Sequence, residues 1–201
     1  MAEQIIISVG RERGSGGYDV AEHLAKVFDL DLYDANILRE IAVERNIDAD
    51  TLAKYDEIPR KRFLSRNVRG YNNSPEENIA NLQFEYLQRK AAEGKSFVVV
   101  GRCAEAVLKD YEGLISIFVL ADRQWKIDRV GKILDMTPAE AEAYITRHDK
   151  HRKDYHNYYC TGKWGDSRNY DISVNSSKLG VHETALFLEE YVKERIKRLE
   201  K

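Results

Sequence analysis

The chain's most constraining feature is a glycine-rich turn caught between a buried strand and a helix. Ile5-Ile6-Ile7-Ser8-Val9 runs straight into Gly10-Arg11-Glu12-Arg13-Gly14-Ser15-Gly16-Gly17, and Val20, Leu24, Val27 and Phe28 then follow helical spacing. A strand apolar on both faces needs helices on both sides of its sheet, which points to an α/β fold. The turn itself has the makings of an anion site: glycines let backbone N–H groups converge, and a helix N-terminus adds its positive end. It departs from the usual G-x-x-x-x-G-K-[ST] phosphate loop. Aligned on Gly14-Ser15-Gly16, Gly17 stands where the lysine belongs, and Tyr18 and Asp19 stand where a Mg²⁺-holding hydroxyl is expected. Two readings are open: a tight strand-to-helix turn, or a phosphate loop of Gly10, Gly14, Ser15, Gly16, Gly17 and Tyr18 whose missing charge comes from Arg11 or Arg13. Asp19 either caps the helix or approaches a metal.

Further strand candidates recur along the chain, giving five at roughly 4–9, 31–33, 96–100, 114–120 and 170–175. Helical patterns lie between them, so the expected sheet is parallel with right-handed crossovers, and residues 1–201 form a single domain. Two segments interrupt this rhythm. Residues 35–95 read as a long, mostly helical insertion carrying the basic run from Arg60 to Arg69; residues 137–169 open on the helix start Thr137-Pro138-Ala139-Glu140 and end on the tip Gly162-Lys163-Trp164-Gly165-Asp166. The stripe Ala185, Leu188, Val192, Ile196 and Leu199 on the last helix suits either docking on the core or a homodimer. With 32 basic against 34 acidic residues, net charge −2, nucleic acid is not the expected partner. No apolar run is long enough to span a membrane, the N-terminus lacks a signal peptide's features, and Cys103 and Cys160 suit reduced thiols; a cytoplasmic location is expected.

Taken in order, these pieces resemble the cytidylate kinase-like family. The residues that carry the resemblance are Ile5-Ile6-Ile7-Ser8, Gly14-Ser15-Gly16-Gly17, Ala21-Glu22-His23-Leu24-Ala25, Leu32-Tyr33-Asp34, Val98-Val99-Val100-Gly101-Arg102, Phe118-Val119-Leu120-Ala121, Asp149-Lys150-His151-Arg152 and Tyr170-Asp171-Ile172-Ser173-Val174-Asn175. The resemblance implies a P-loop NTPase-type three-layer sandwich with about five parallel strands. It also implies a helical acceptor-binding insertion within 35–95 and a lid over 137–169. ATP with Mg²⁺ is the implied cofactor pair, the metal held mainly through nucleotide and water. Small-molecule nucleotides are the implied partners, and the acceptor is a nucleoside monophosphate, CMP or dCMP.

Phosphoryl transfer asks for positioned charge more than for a base. Arg102, just beyond a central strand, resembles the arginine that contacts the acceptor phosphate; its ordinary explanation is a surface ion pair. Arg147 and Arg152, on the lid helix, are candidates for the transferring group, against a solvated charged face. Asp34 and Arg39 are candidate acceptor contacts, though Arg39 follows one position earlier than the family pattern has it. His148, His151, His156 and Cys160 match no standard zinc spacing, so no metal ligands are assigned. Tyr155, Tyr158 and Tyr159 either stack on a base or pack the lid. The absent lysine keeps a different class open: a nucleotide-binding sensor without transferase activity.

Overall fold

In the computed structural model, which describes residues 4–45, 48, 67–68, 71–72 and 75–200, the apolar runs pair as one sheet. Its strands are β1 (Ile6–Arg11), β2 (Asp31–Tyr33), β5 (Phe97–Val100), β6 (Leu114–Leu120) and β7 (Ile172–Asn175). All neighbours are parallel, in the order β2-β5-β1-β6-β7. β1 starts and ends later than the 4–9 expected, because its ladder with β6 continues to Arg11↔Val119. Gly10 and Arg11 are therefore strand residues and not part of the turn.

The alternation within each strand divides the core into two layers. Ile6, Phe97 and Val99 face one way, onto α2 (Ile37–Arg45), α3 (Pro75–Ala92) and α4 (Ala104–Val107), through Ile37, Ile41, Tyr86, Leu87 and Leu108. Ile7, Val9, Val98, Val100, Ile117 and Val119 face the other, onto α1 (Gly17–Val27) and α7 (Val181–Leu199), through Val20, Leu24, Leu188 and Val192. Each such side chain, removed from water, contributes about 1.5–3 kcal/mol of transfer free energy. The stripe on α7 thus docks on the core: Ala185, Leu188 and Val192 are buried.

Two further helices, α5 (Arg123–Leu134) and α6 (Pro138–Tyr159), pack against each other through Ile127, Val130, Ala141 and Ile145. Thr137 caps α6 in a full capping box with Glu140, as the sequence signature requires. The mostly helical reading of 35–95 misses a short antiparallel pair, β3 (Asn67–Val68) with β4 (Tyr71–Asn72). Strands of this length carry no period to read; Val and Tyr favour extended chain by shape. The basic residues of the run from Arg60 to Arg69 lie outside the described residues.

Candidate functional site

β1 lies between β5 and β6, so the turns after β1 and β5 lie side by side at the carboxyl edge of the sheet, where open α/β sheets take ligands. Gly101 donates its N–H to Val9 O at 3.0 Å and ties the two turns together.

The glycine turn is built from inside. The amide of Glu12 extends the ladder to Val119 O at 3.0 Å. Ser15 closes the loop: its amide (3.4 Å) and hydroxyl (2.9 Å) both donate to Glu12 O, while Oγ accepts from the Gly17 amide at 3.3 Å. That hydroxyl faces its own loop. Gly14 and Gly16 have left-handed φ of +85° and +79°, and a Cβ on Gly16 would stand 2.4 Å from Val181 Cγ2. Ser176, fully buried, donates to Ser15 O at 2.6 Å. Asp19 pairs with Arg129 and does not cap the helix, whose N-cap is Gly16. Between the loop and α5 lies a cleft of about 200 Å³. Arg11, Arg13, Arg129 and Arg152 line it together with the acidic Glu12 and Asp19, and Val130, Ile133 and Leu134 form an apolar wall.

A lysine that sequence reading did not single out packs beneath the loop. Lys126 of α5, buried at 8% exposure, reaches under the loop and donates from Nζ to Glu12 Oε2 at 2.8 Å. Asp149 Oδ2 lies 3.5 Å from the same ammonium. Asp149 also accepts from the Arg13 amide at 2.6 Å and stands 3.9 Å from Arg152 Nη1. Burial pushes the Asp149 carboxyl up, against the opposing pull of the Arg13 amide and Lys126. Arg152 Nη1 donates to Arg11 O at 3.5 Å. Arg13 donates to Tyr144 Oη at 2.6 Å, its guanidinium 4.9 Å from that ring's centre. α6 thus meets the loop through Tyr144, Asp149 and Arg152.

A second, smaller cavity of about 20 Å³ lies beside the first, against the turn after β5. Arg102, only 4% exposed, lines it with Tyr155, Trp164 and Tyr170. Gly101, Arg102 and Cys103 are consecutive left-handed residues, at φ 74°, 60° and 54°. For the two non-glycines that conformation costs roughly 1–2 kcal/mol each, and such strain gathers at functional sites. Arg11 and Arg152 line both cavities.

The other sequence candidates fall away from this junction. Arg147 is exposed, its guanidinium 5.8 Å from the Tyr144 ring centre. Asp34 is engaged with Asn36 in reciprocal bonds of 2.8 and 2.9 Å at the start of α2. Arg39 is exposed, and neither it nor Asp34 lines either cavity. Tyr155 and Tyr159 pack against Ala80, Phe84 and Cys103, the packing alternative of the two considered. The cations at the loop suit a polyphosphate. Among the described residues, three or more grouped metal-ligating side chains occur at Glu105, His156 and Cys160.

Comparison with known proteins agrees with this geometry. The model of the cytidylate kinase-like family matches residues 6–178. The crystal structure of an uncharacterized protein from Eubacterium ventriosum ATCC 27560 is 36% identical, covering 94% of this chain and 99% of that one at a TM-score of 0.75. Shikimate kinase from Bacteroides thetaiotaomicron is 10% identical over 94% of this chain and 98% of its own, with a TM-score of 0.54. Shikimate kinase from Acinetobacter baumannii, in complex with shikimate, is 11% identical over 96% and 94%, with a TM-score of 0.51. For these two kinases the likeness is one of fold. No curated protein matches the chain.

Proposed function

The chain belongs to the cytidylate kinase-like family, and from that premise we propose that it transfers the terminal phosphoryl group of ATP to a small acceptor, a nucleoside monophosphate first of all. CMP and dCMP lead by family resemblance. The observation that carries this reading is the pair of cavities meeting on Arg11 and Arg152, one under the glycine loop and one under Arg102. A donor phosphate in the first and an acceptor phosphate in the second would face each other across those guanidinium groups.

In this reading the loop amides and the first turn of α1 hold the donor phosphates, and the apolar wall of Val130, Ile133 and Leu134 takes a flat base. Mg²⁺ bound to the triphosphate would supply charge neutralisation on its oxygens. Arg11 or Arg13, which line that cleft, supplies the charge of the absent loop lysine, and Lys126 steadies the loop through Glu12 and Asp149. Arg102 holds the acceptor, and Arg152 balances charge on the group in flight. No side chain has to act as a strong base, because the transition state is loose. α6 over the loop keeps water out.

Calorimetric titration with a non-hydrolysable ATP analogue, with and without Mg²⁺, tests the donor site; a screen of CMP, dCMP, the other nucleoside monophosphates and shikimate tests the acceptor. Binding strengthened by Mg²⁺ together with turnover of one acceptor is expected. A protein that binds the analogue but phosphorylates nothing would instead be a nucleotide sensor. One observation favours that second reading: the Asp149 carboxylate already occupies the Arg13 amide, where a phosphate oxygen would bind.

A further inference from the structure

We propose that Cys103, Glu105, His156 and Cys160 form a closed zinc site that ties the C-terminal end of α6 to the turn after β5. The chain has only two cysteines, and although distant in sequence they lie in one buried cluster with Tyr155. Glu105 bonds to His156 Nε2, and one ligand atom each from Glu105, His156 and Cys160 lie within 4.8 Å of one another. Zinc bonds of about 2.0–2.3 Å bring tetrahedral ligands to separations inside that span. Three of the four are buried, Cys103 at 3%, His156 at 5% and Glu105 at 8% exposure, and Cys160 is half-buried. The four side chains touch in sequence: Cys160 is in hydrogen-bond contact with Cys103 and with His156, and His156 with Glu105. Two thiols, an imidazole and a carboxylate gathered away from water are a costly grouping unless their charges are balanced, as a bound cation would do.

The donor set selects the metal. Thiolate, imidazole and carboxylate in a closed tetrahedral group suit Zn²⁺, whereas Mg²⁺ and Ca²⁺ require all-oxygen shells. His156 and Cys160 share one face of the helix end at i, i+4 spacing. Cys103 is held in the left-handed region, φ 54°, at the N-cap of α4, and Glu105 follows in its first turn. The histidines nearer the middle of α6 are not part of the group: His148 stacks on Tyr144 with ring centres 4.2 Å apart, and His151 is exposed. Sequence spacing did not reveal this set because its halves come from two distant segments. The inference stands apart from the kinase reading, since it concerns retention of metal and not turnover.

The test is elemental analysis of the untagged full chain, purified under reducing conditions without chelator, followed by chelation and reconstitution with Co²⁺. About one zinc per chain is expected, and a thiolate-to-cobalt charge-transfer band on reconstitution. Cys160→Ser and His156→Asn should each lower retained zinc at least tenfold, while His151→Asn leaves it unchanged. Should those variants not fold, the cobalt spectrum of the wild-type chain decides alone. Wild-type protein that retains no zinc and gives no cobalt–thiolate band overturns the proposal. So does a Cys103–Cys160 disulfide found by non-reducing mass spectrometry in the metal-free protein as purified.

Discussion

Arg152 faces both cavities and Arg102 only one, and that difference separates what each should do to the kinetics. A group placed at the junction acts on charge that develops during transfer; removing one such donor lowers kcat about 10²–10³-fold. Arg152→Ala is therefore expected to depress kcat with acceptor KM near the wild-type value, and Arg102→Ala to raise acceptor KM. Steady-state kinetics on the best acceptor checks both, and wild-type constants in either variant refute its role. Lys126 makes a different kind of claim, because its ammonium sits between the carboxylates of Glu12 and Asp149 at 10% side-chain exposure. Lys126→Met leaves two poorly hydrated carboxylates facing each other, a change worth about 3 kcal/mol by analogy with broken buried pairs. Urea unfolding should show that loss, and adding Asp149→Asn should restore part of it. Strict additivity of the two changes would mean that the ammonium and Asp149 do not interact.

At the scale of elements, the glycine turn and the start of α6 give separate tests of what the chain encodes locally. Gly16 and Gly94 both sit at positive φ, +79° and +73°, but a Cβ on Gly16 meets Val181 at 2.4 Å whereas one on Gly94 meets nothing within 4 Å. Gly94→Ala should cost about 1 kcal/mol from the left-handed backbone alone. Gly16→Ala should cost about 1–3 kcal/mol more, from the clash with α7. Equal losses in the two would mean that α7 yields freely. In α6, Thr137→Ala removes an N-cap bonded to Glu140 at 2.7 Å (Oγ1 to Oε2) and should lower stability by about 1 kcal/mol, read from the thermal midpoint. Such features were legible because they are local: Thr-Pro-Ala-Glu spells a capping box wherever it occurs, and Phe97–Val100 has no polar face to show. β3–β4 was not, since strands this short have no period. Lys126 was not either, because nothing near it in sequence hints that α5 passes under the loop. Asp34 takes part in the turn that opens α2 and also bonds Tyr18, which lines the cleft at the loop.

For the molecule as a whole, the sizes of the two cavities set a condition on function. The donor cleft holds about 200 Å³, but the Arg102 cavity holds about 20 Å³, enough for a water and not for a nucleotide. On the proposed reading, an acceptor enters only if one wall of that cavity moves. The N-terminal half of α6 packs on α5 through its own small core, apart from the two core layers of the sheet. Farther along, α6 meets the loop through Arg152 to Arg11 O and Asp149 to the Arg13 amide, and α5 meets it through Lys126 and Glu12. The two hydrogen bonds contribute about 1 kcal/mol each net and the buried pair about 3, while Tyr155 and His156 at the other end of α6 stay packed on Cys103 and Glu105. Trp164, which lines the Arg102 cavity, would feel the change, since its ring stands edge-on to Phe118 at 5.4 Å and its amide is tied to Asn157 at 2.8 Å. With Trp125→Phe, Trp164 is the sole indole in the chain. Acceptor alone is expected to shift its emission, and acceptor with the ATP analogue to shift it further as α6 closes over both. Calorimetric binding of the acceptor with unchanged Trp164 emission would mean that the acceptor enters elsewhere, and would remove Arg102 from the transfer path.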